Sequence, residues 1–361
     1  MKKLLTVFLS LTMIIFSLVG CSSSAPTSSS SSSSEAEQTE EPANSEYVDG
    51  LLVDFEEELM KQLGDKPESG KNEKIGVLII STSNEFWANM KTCYEAAAED
   101  LGITVDVQGA SAEDDKDGQL DALMTMADMD YDAIIVSPID GTNLISGIVK
   151  CNENEIPVIN LGPGVDVEAL EEAGGHLDGK ITVNFEDQGK TVAEDMVSKL
   201  SDGGQVAILE GLAGAGQSVG RTKGATDIFE STDGIELVAS QACDWDATKA
   251  YDATKDILQA NPDLKGIFAC NDVMALAATE ALAAEGRDDV LVYGVDYTAS
   301  AKEAIKEGTM TGSMSYSSVI YTKAALMMGM KLAQGNTIDD TIYLPLTLIT
   351  GDNVDKMDGW K

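Results

Sequence analysis

The sequence predicts an α/β protein made of two doubly wound parallel-sheet lobes, and three observations carry that expectation. Segments of strand and helix character alternate from Lys74 onward, the pattern of parallel sheets covered on both faces. Several strands are apolar almost throughout, above all 75–80, Ile-Gly-Val-Leu-Ile-Ile, as a strand buried on both faces requires. There are also more strand candidates than one compact set of layers accommodates, so the chain divides. The pattern restarts near 182–188, where a first crossing between lobes is expected.

Ahead of the globule, Lys2 and Lys3 followed by the apolar run 4–19 read as a secretory leader over 1–20. Leu18-Val19-Gly20-Cys21 resembles a bacterial lipobox, in which the leader is cut before the cysteine and its thiol takes a diacylglycerol. Two acyl chains anchor stably where one is marginal, so the expected location is the outer face of the cell membrane, held through Cys21. Residues 21–46 are rich in Ser, Glu, Thr and Pro, too poor in apolar surface to order themselves, and read as a tether. Leu51, Leu52, Phe55, Leu59 and Leu63 fall at helical spacing, so 47–73 is expected to be a helical linker closed by turn residues.

Composition narrows the function classes. Among 361 residues, 24 Lys and Arg face 62 Asp and Glu, for a net charge of −38. Nucleic-acid affinity rests on cationic contacts to phosphate, so DNA and RNA are excluded as partners. Cys93, Cys151, Cys243 and Cys270 are scattered without a Cys-x-x-Cys pair, which predicts buried thiols rather than a metal site. His176 is the sole histidine and reads as a loop residue. Glu113, Asp115, Asp117 and Gly118 fit the start of a calcium loop, but Met124 stands where a bidentate Glu is required. Neither a metal nor a cofactor is expected.

The strand candidates are 75–80, 103–107, 133–136, 157–160, 181–183, 206–209, 237–239, 266–269 and 290–295, with helical patterns such as 90–101, 120–129, 144–149, 193–200 and 275–284 between them. In open α/β sheets ligands bind beyond the carboxyl ends of the strands. Asn84, Phe86 and Trp87 follow the first strand; Asp140 follows 133–136; Arg221 comes after the glycine-rich 211–216; Trp245 follows 237–239; Asn271 follows 266–269; Asp296 follows 290–295. Phe86 and Trp87 read equally as core of the following helix, and Asp246 and Asp272 as helix N-caps. Arg221 and Trp245 cap nothing, so the set as a whole points to a site in a cleft between lobes. Rings that cover C–H faces, with carboxylates, amides and a guanidinium around the rim, suit a monosaccharide.

These residues resemble the ribose-binding-like, periplasmic-type sugar-binding proteins of bacterial ABC importers, over nearly all of 74–350. The resemblance rests on Asn84-Glu85-Phe86-Trp87, Ser137-Pro138-Ile139-Asp140, Ile156-Pro157-Val158-Ile159, Arg221-Thr222-Lys223-Gly224, Asp244-Trp245-Asp246, Phe268-Ala269-Cys270-Asn271-Asp272 and Gly294-Val295-Asp296, in that order. It implies a type I periplasmic binding protein-like fold with a three-crossing hinge near 182–183, 315–316 and 345–346. The lobes would then be 74–182 plus 317–345 and 183–316 plus 346–361. It further implies that Asn84, Asp140, Arg221, Asn271 and Asp296 bond sugar hydroxyls, and that Phe86, Trp87 and Trp245 sandwich the ring. Glu85 departs from the family's Pro, Ala225 from an aromatic, and Tyr316 stands near a position often held by an amide. The implied partners are a monosaccharide or polyol and the permease and ATPase subunits of an importer, the protein itself being a monomer and not an enzyme.

A dinucleotide enzyme is the first rival, but Gly214-x-Gly216-x-x-x-Gly220 misses the fingerprint spacing. A ligand receptor that signals to a membrane sensor without transport is the second, and the sequence does not separate it from import.

Overall fold

A computed structural model describes residues 44–68, 70–338, 341–357 and 360. The leader, Cys21 and nearly all of the tether lie outside the described residues. The described chain opens with α1 (Asn44–Leu63), then runs β1 (Lys74–Ser81), α2 (Glu85–Leu101), β2 (Thr104–Ala110), α3 (Lys116–Met126), β3 (Ala133–Val136), α4 (Ile145–Glu153), β4 (Val158–Leu161), α5 (Val167–Glu172) and β5 (Gly179–Thr182). It continues through α6 (Phe185–Lys199), β6 (Gly204–Glu210), α7 (Gly216–Ser231), β7 (Ile235–Ala242), α8 (Ala247–Ala260), β8 (Leu264–Ala269), α9 (Asp272–Ala284), β9 (Leu291–Val295), α10 (Ala299–Glu307) and β10 (Gly312–Ser315). It ends with α11 (Ser318–Ala333), β11 (Thr341–Tyr343), β12 (Thr347–Thr350) and a 3₁₀ turn, Val354–Lys356.

The strands form two six-stranded sheets, ordered β11-β5-β4-β3-β1-β2 and β12-β10-β9-β8-β6-β7. All pairs are parallel except β10 with β12, an antiparallel edge. Sheet order reverses beside β1 in one lobe and beside β6 in the other, and such switch points open a crevice at the strand ends. The chain passes between sheets three times: from β5 to α6, from β10 to α11, and from β11 to β12. β10, β11 and β12 carry Gly-Ser-Met-Ser, Thr-Ile-Tyr and Thr-Leu-Ile-Thr; three or four residues are too short for periodicity to register, and the sequence reading missed them.

The segment read as a linker is part of the globule. Val48 is buried in the core of the second lobe, Leu59 and Leu63 in that of the first, and Leu52 and Phe55 pack against both. An amphipathic face of five large residues is stable only when covered. Here α11 and the hinge region cover it.

Close helix contact explains Arg-x-x-Gly. Gly220 and Gly224 lie one turn apart on α7, and a Cβ on Gly224 would come within 2.0 Å of the Glu186 carbonyl, one on Gly189 within 1.9 Å of the Arg221 carbonyl. Only glycine permits α6 and α7 to approach so closely, and that approach brings Arg221 against Gln188.

Candidate ligand-binding cavity

The carboxyl ends of both sheets face one cavity, with roughly 530 Å³ of atom-free space when its open mouth is included. Eight of the nine residues singled out in the sequence line it: Asn84, Phe86, Trp87, Arg221, Trp245, Asn271, Asp296 and Tyr316.

Asn84 and Asn271 each serve twice. The Oδ1 of Asn84 accepts from the Phe86 N–H at 2.9 Å and that of Asn271 from the Met274 N–H at 3.0 Å, capping α2 and α9. Capping fixes each amide, so its NH₂ is aimed without side-chain entropy left to lose. That of Asn84 donates to Glu113 Oε2 at 3.3 Å.

Phe86 and Trp87 meet edge to face at 5.0 Å, Phe86 meets Tyr316 at 5.7 Å, and Tyr316 meets Tyr321 at 5.5 Å. Phe86 and Trp87 belong both to the first lobe's core and to the cavity wall. Trp245 approaches from the other lobe, over Gly211, where a Cβ would come within 1.9 Å of the indole.

Arg221 is buried. Its Nε donates to Gln188 Oε1 at 2.8 Å and Nη1 to the Cys270 carbonyl at 2.6 Å, while Nη2 lies 3.7 Å from Asp296 Oδ1. Burial raises the Asp296 carboxyl to about 7, against the pull of Arg221. Glu113 is likewise raised to about 7, by burial and then by the charge of Asp296, with the Asn84 hydrogen bond opposing.

Backbone conformation marks the same places. Asp244 and Trp245 (φ 54° and 63°) and Asp296 and Tyr297 (φ 110° and 49°) are non-glycine residues at positive φ, a strained state held only by surrounding structure. Asp272 supplies that hold for the second pair. It does not cap α9. Its buried carboxylate accepts from the Thr298 N–H at 2.8 Å and from Ser313 Oγ at 2.7 Å, and Ser313 Oγ in turn accepts from the Tyr297 N–H at 2.9 Å. Burial and the charge of Asp296 push the Asp272 carboxyl well up. Asp246 does cap, accepting from the Lys249 N–H at 2.8 Å.

Asp140 is the exception among the nine. It does not line the cavity. Its carboxylate turns back on its own loop, accepting from the Thr142 and Asn143 N–H groups at 2.8 Å each and pairing with Lys116 at 2.5 Å. Burial opposes ionisation there, but these bonds outweigh it and hold the carboxyl at about 2. Nine lining residues were not singled out in the sequence, among them Glu113, Phe185, Gln217 and Tyr321. Glu113 follows β2, so the strand-end rule applied to every strand would have found it. Gln217 and Phe185 sit in the first turns of α7 and α6 and were within reach of the same rule. Tyr321 lies inside α11 and carries no such signal.

Of the residues weighed as a calcium loop, Asp115 caps α3, accepting from the Gly118 N–H at 2.9 Å. Cys93, Cys151, Cys243 and Cys270 are all buried. His176 sits in the loop before β5, its Nε2 3.5 Å from Asp178 Oδ1.

Two hinged lobes that close rings and hydrogen-bonding groups around one cavity define a small-molecule binding protein. The sequence matches the periplasmic binding protein domain over residues 75–337, and the chain belongs to that family. Among its relatives, the D-allose-binding periplasmic protein of Escherichia coli is 34% identical over 67% of this chain and 78% of its own. The ribose import binding protein of Bacillus subtilis is 27% identical over 79% and 90%. A solute-binding protein of Actinobacillus succinogenes solved with D-allose superposes with a TM-score of 0.75 at 30% identity, over 78% of this chain and 99% of that one. One from Bacillus halodurans solved with myo-inositol gives 0.73 at 25%, over 82% and 100%.

Proposed function

We propose that the protein captures a monosaccharide or cyclic polyol between its lobes and hands it, chemically unaltered, to the permease and ATPase of a membrane importer. The observation that carries this reading is the cavity itself. Phe86 and Trp87 from one lobe and Trp245 from the other can cover the faces of a ring. Asn84, Glu113, Gln217, Arg221, Asn271 and Asp296 can bond its rim, and Gln217 Oε1 is buried with no hydrogen-bond partner, an acceptor suited to a ligand hydroxyl. The ligands named for the relatives, allose, ribose and inositol, are of this chemistry. The lobes close on ligand by a hinge motion at the three crossings.

A thermal-shift panel of pentoses, hexoses, cyclic polyols and nucleosides tests this. Ligand bound only by the folded state raises the midpoint with concentration, and at least one sugar or polyol is expected to do so. A panel in which none shifts it removes the reading. Anchoring through Cys21 belongs to the same proposal. The Cys21→Ser protein is expected to lose lipid labelling and leave the membrane fraction, and a variant still labelled refutes the anchor.

A further inference from the structure

We infer that the preferred ligand has one apolar edge, a deoxy position or a methyl group, seated on the wall at the carboxyl end of β4; this rests on the sugar-binding reading of the cavity. The polar groups of the cavity are unevenly placed. The loops after β1, β2, β8 and β9 contribute Asn84, Glu113, Asn271 and Asp296, and the start of α7 contributes Gln217 and Arg221. The end of β4 and the loop after it contribute only Leu161, Gly162 and Pro163, beside Ile80 and Val183.

Its backbone is equally occupied. The Gly162 N–H donates to the Ile181 carbonyl at 2.9 Å, and the Gly162 carbonyl accepts from Thr182 Oγ1 at 2.9 Å. Pro163 has no N–H, and its carbonyl accepts from Asn160 Nδ2 at 2.7 Å. Asn160, the polar side chain of this strand end, is thus turned into the loop, where its Oδ1 also accepts from the Val165 N–H at 3.1 Å. The nearby Tyr321 hydroxyl donates to the Ile181 carbonyl at 3.2 Å. A ligand hydroxyl pressed on this wall loses water and meets no free donor, only carbonyl and hydroxyl oxygens that each already hold one bond, which lowers affinity by roughly fivefold or more. A C–H edge or methyl group there gains burial instead.

The test is calorimetric titration of the full chain with sugar pairs that differ by one hydroxyl: D-fucose with D-galactose, L-rhamnose with L-mannose, 2-deoxy-D-ribose with D-ribose. The deoxy member of the best-binding pair is expected to bind at least about fivefold tighter. Val183→Thr and Pro163→Ser each place a hydroxyl on the wall, and either one, once folded by its melting curve, is expected to erase most of that preference. Equal or tighter binding of the hydroxylated member in every pair overturns the inference while leaving sugar binding intact. A deoxy preference untouched by both variants overturns the assignment to this wall. Binding of none of the sugars removes the underlying reading as well.

Discussion

Arg221 is the residue on which most of the cavity's order depends. It is held by Gln188 and the Cys270 carbonyl, and it is the cation facing Asp296. Removing one partner of a buried charged cluster costs about 3–5 kcal/mol, because the other is left unpaired. Arg221→Ala is therefore expected to lower stability in urea by about that amount and to abolish sugar binding in calorimetry. Arg221→Lys should keep the charge, lose the fork, and fall between. A Glu113→Gln variant makes a separate prediction. Glu113 and Asp296 are raised from ordinary carboxylate values of 4.5 and 3.8 to about 7. A carboxyl with a raised folded pKa binds more protons folded than unfolded. Its contribution to stability is thus fullest below the unfolded value and falls as pH rises toward 7. Glu113→Gln removes one such group and the repulsion on Asp296. Unliganded, it is expected to match the parent near pH 4 and to be the more stable of the two at pH 8 in thermal melts. A constant difference between the two proteins across that range contradicts the assignment.

At the scale of elements, the strands most legible in the sequence are those buried on both faces, while the half-exposed edges β2 and β7 were read only in part, as 103–107 and 237–239. 133–136 has the bounds read for it, and 75–80 sits inside β1; a continuous apolar run is a signal that survives any register. The short edge strands β11 and β12 and the Ser-containing β10 have no such run, and their pairing is decided by distant segments. The site was legible for the same kind of reason. Loops at one sheet edge converge whatever their sequence, so Asn84, Trp245, Asn271 and Asp296 could be gathered on paper. Asp140 could not be excluded on paper, since only the fold brings Lys116 to it. The helix α1 was legible as a helix but not as a strap. Phe55 meets Trp360 edge to face at 5.3 Å, Glu56 pairs with Lys323 of α11 at 3.1 Å, and Gln62 exchanges two 3.0 Å hydrogen bonds with the backbone of Tyr343. Those partners lie hundreds of residues away in sequence. Leu59→Ala, at a site 2% exposed, is expected to cost about 2–5 kcal/mol in urea unfolding. A loss below about 0.5 kcal/mol would mean that the helix adds little to the globule.

For the whole molecule the question is what favours the lobes together over the lobes apart. The cavity walls come from both lobes, and so does a contact at its mouth: Glu85, in the first turn of α2, accepts from Ser300 Oγ at 3.0 Å and from the Ser300 N–H at 3.4 Å, on α10 of the opposite lobe. Glu85 is the position at which the sequence departs from the proline of the resembling family, and a proline there could not make this bond. A contact formed only when the lobes meet raises the population of the closed state, and apparent affinity follows that population. Because the pair is exposed, its net worth is about 0.5–1.5 kcal/mol, or roughly two- to tenfold. Glu85→Ala is accordingly expected to weaken sugar binding by that factor, chiefly through faster release in stopped-flow fluorescence of the cavity tryptophans Trp87 and Trp245. Ser300→Ala should give a smaller effect, since the N–H bond remains, and the double variant should be no worse than Glu85→Ala alone. Additive losses in the double variant would show that the two residues act separately and that the lobes are held closed by the ligand without this latch.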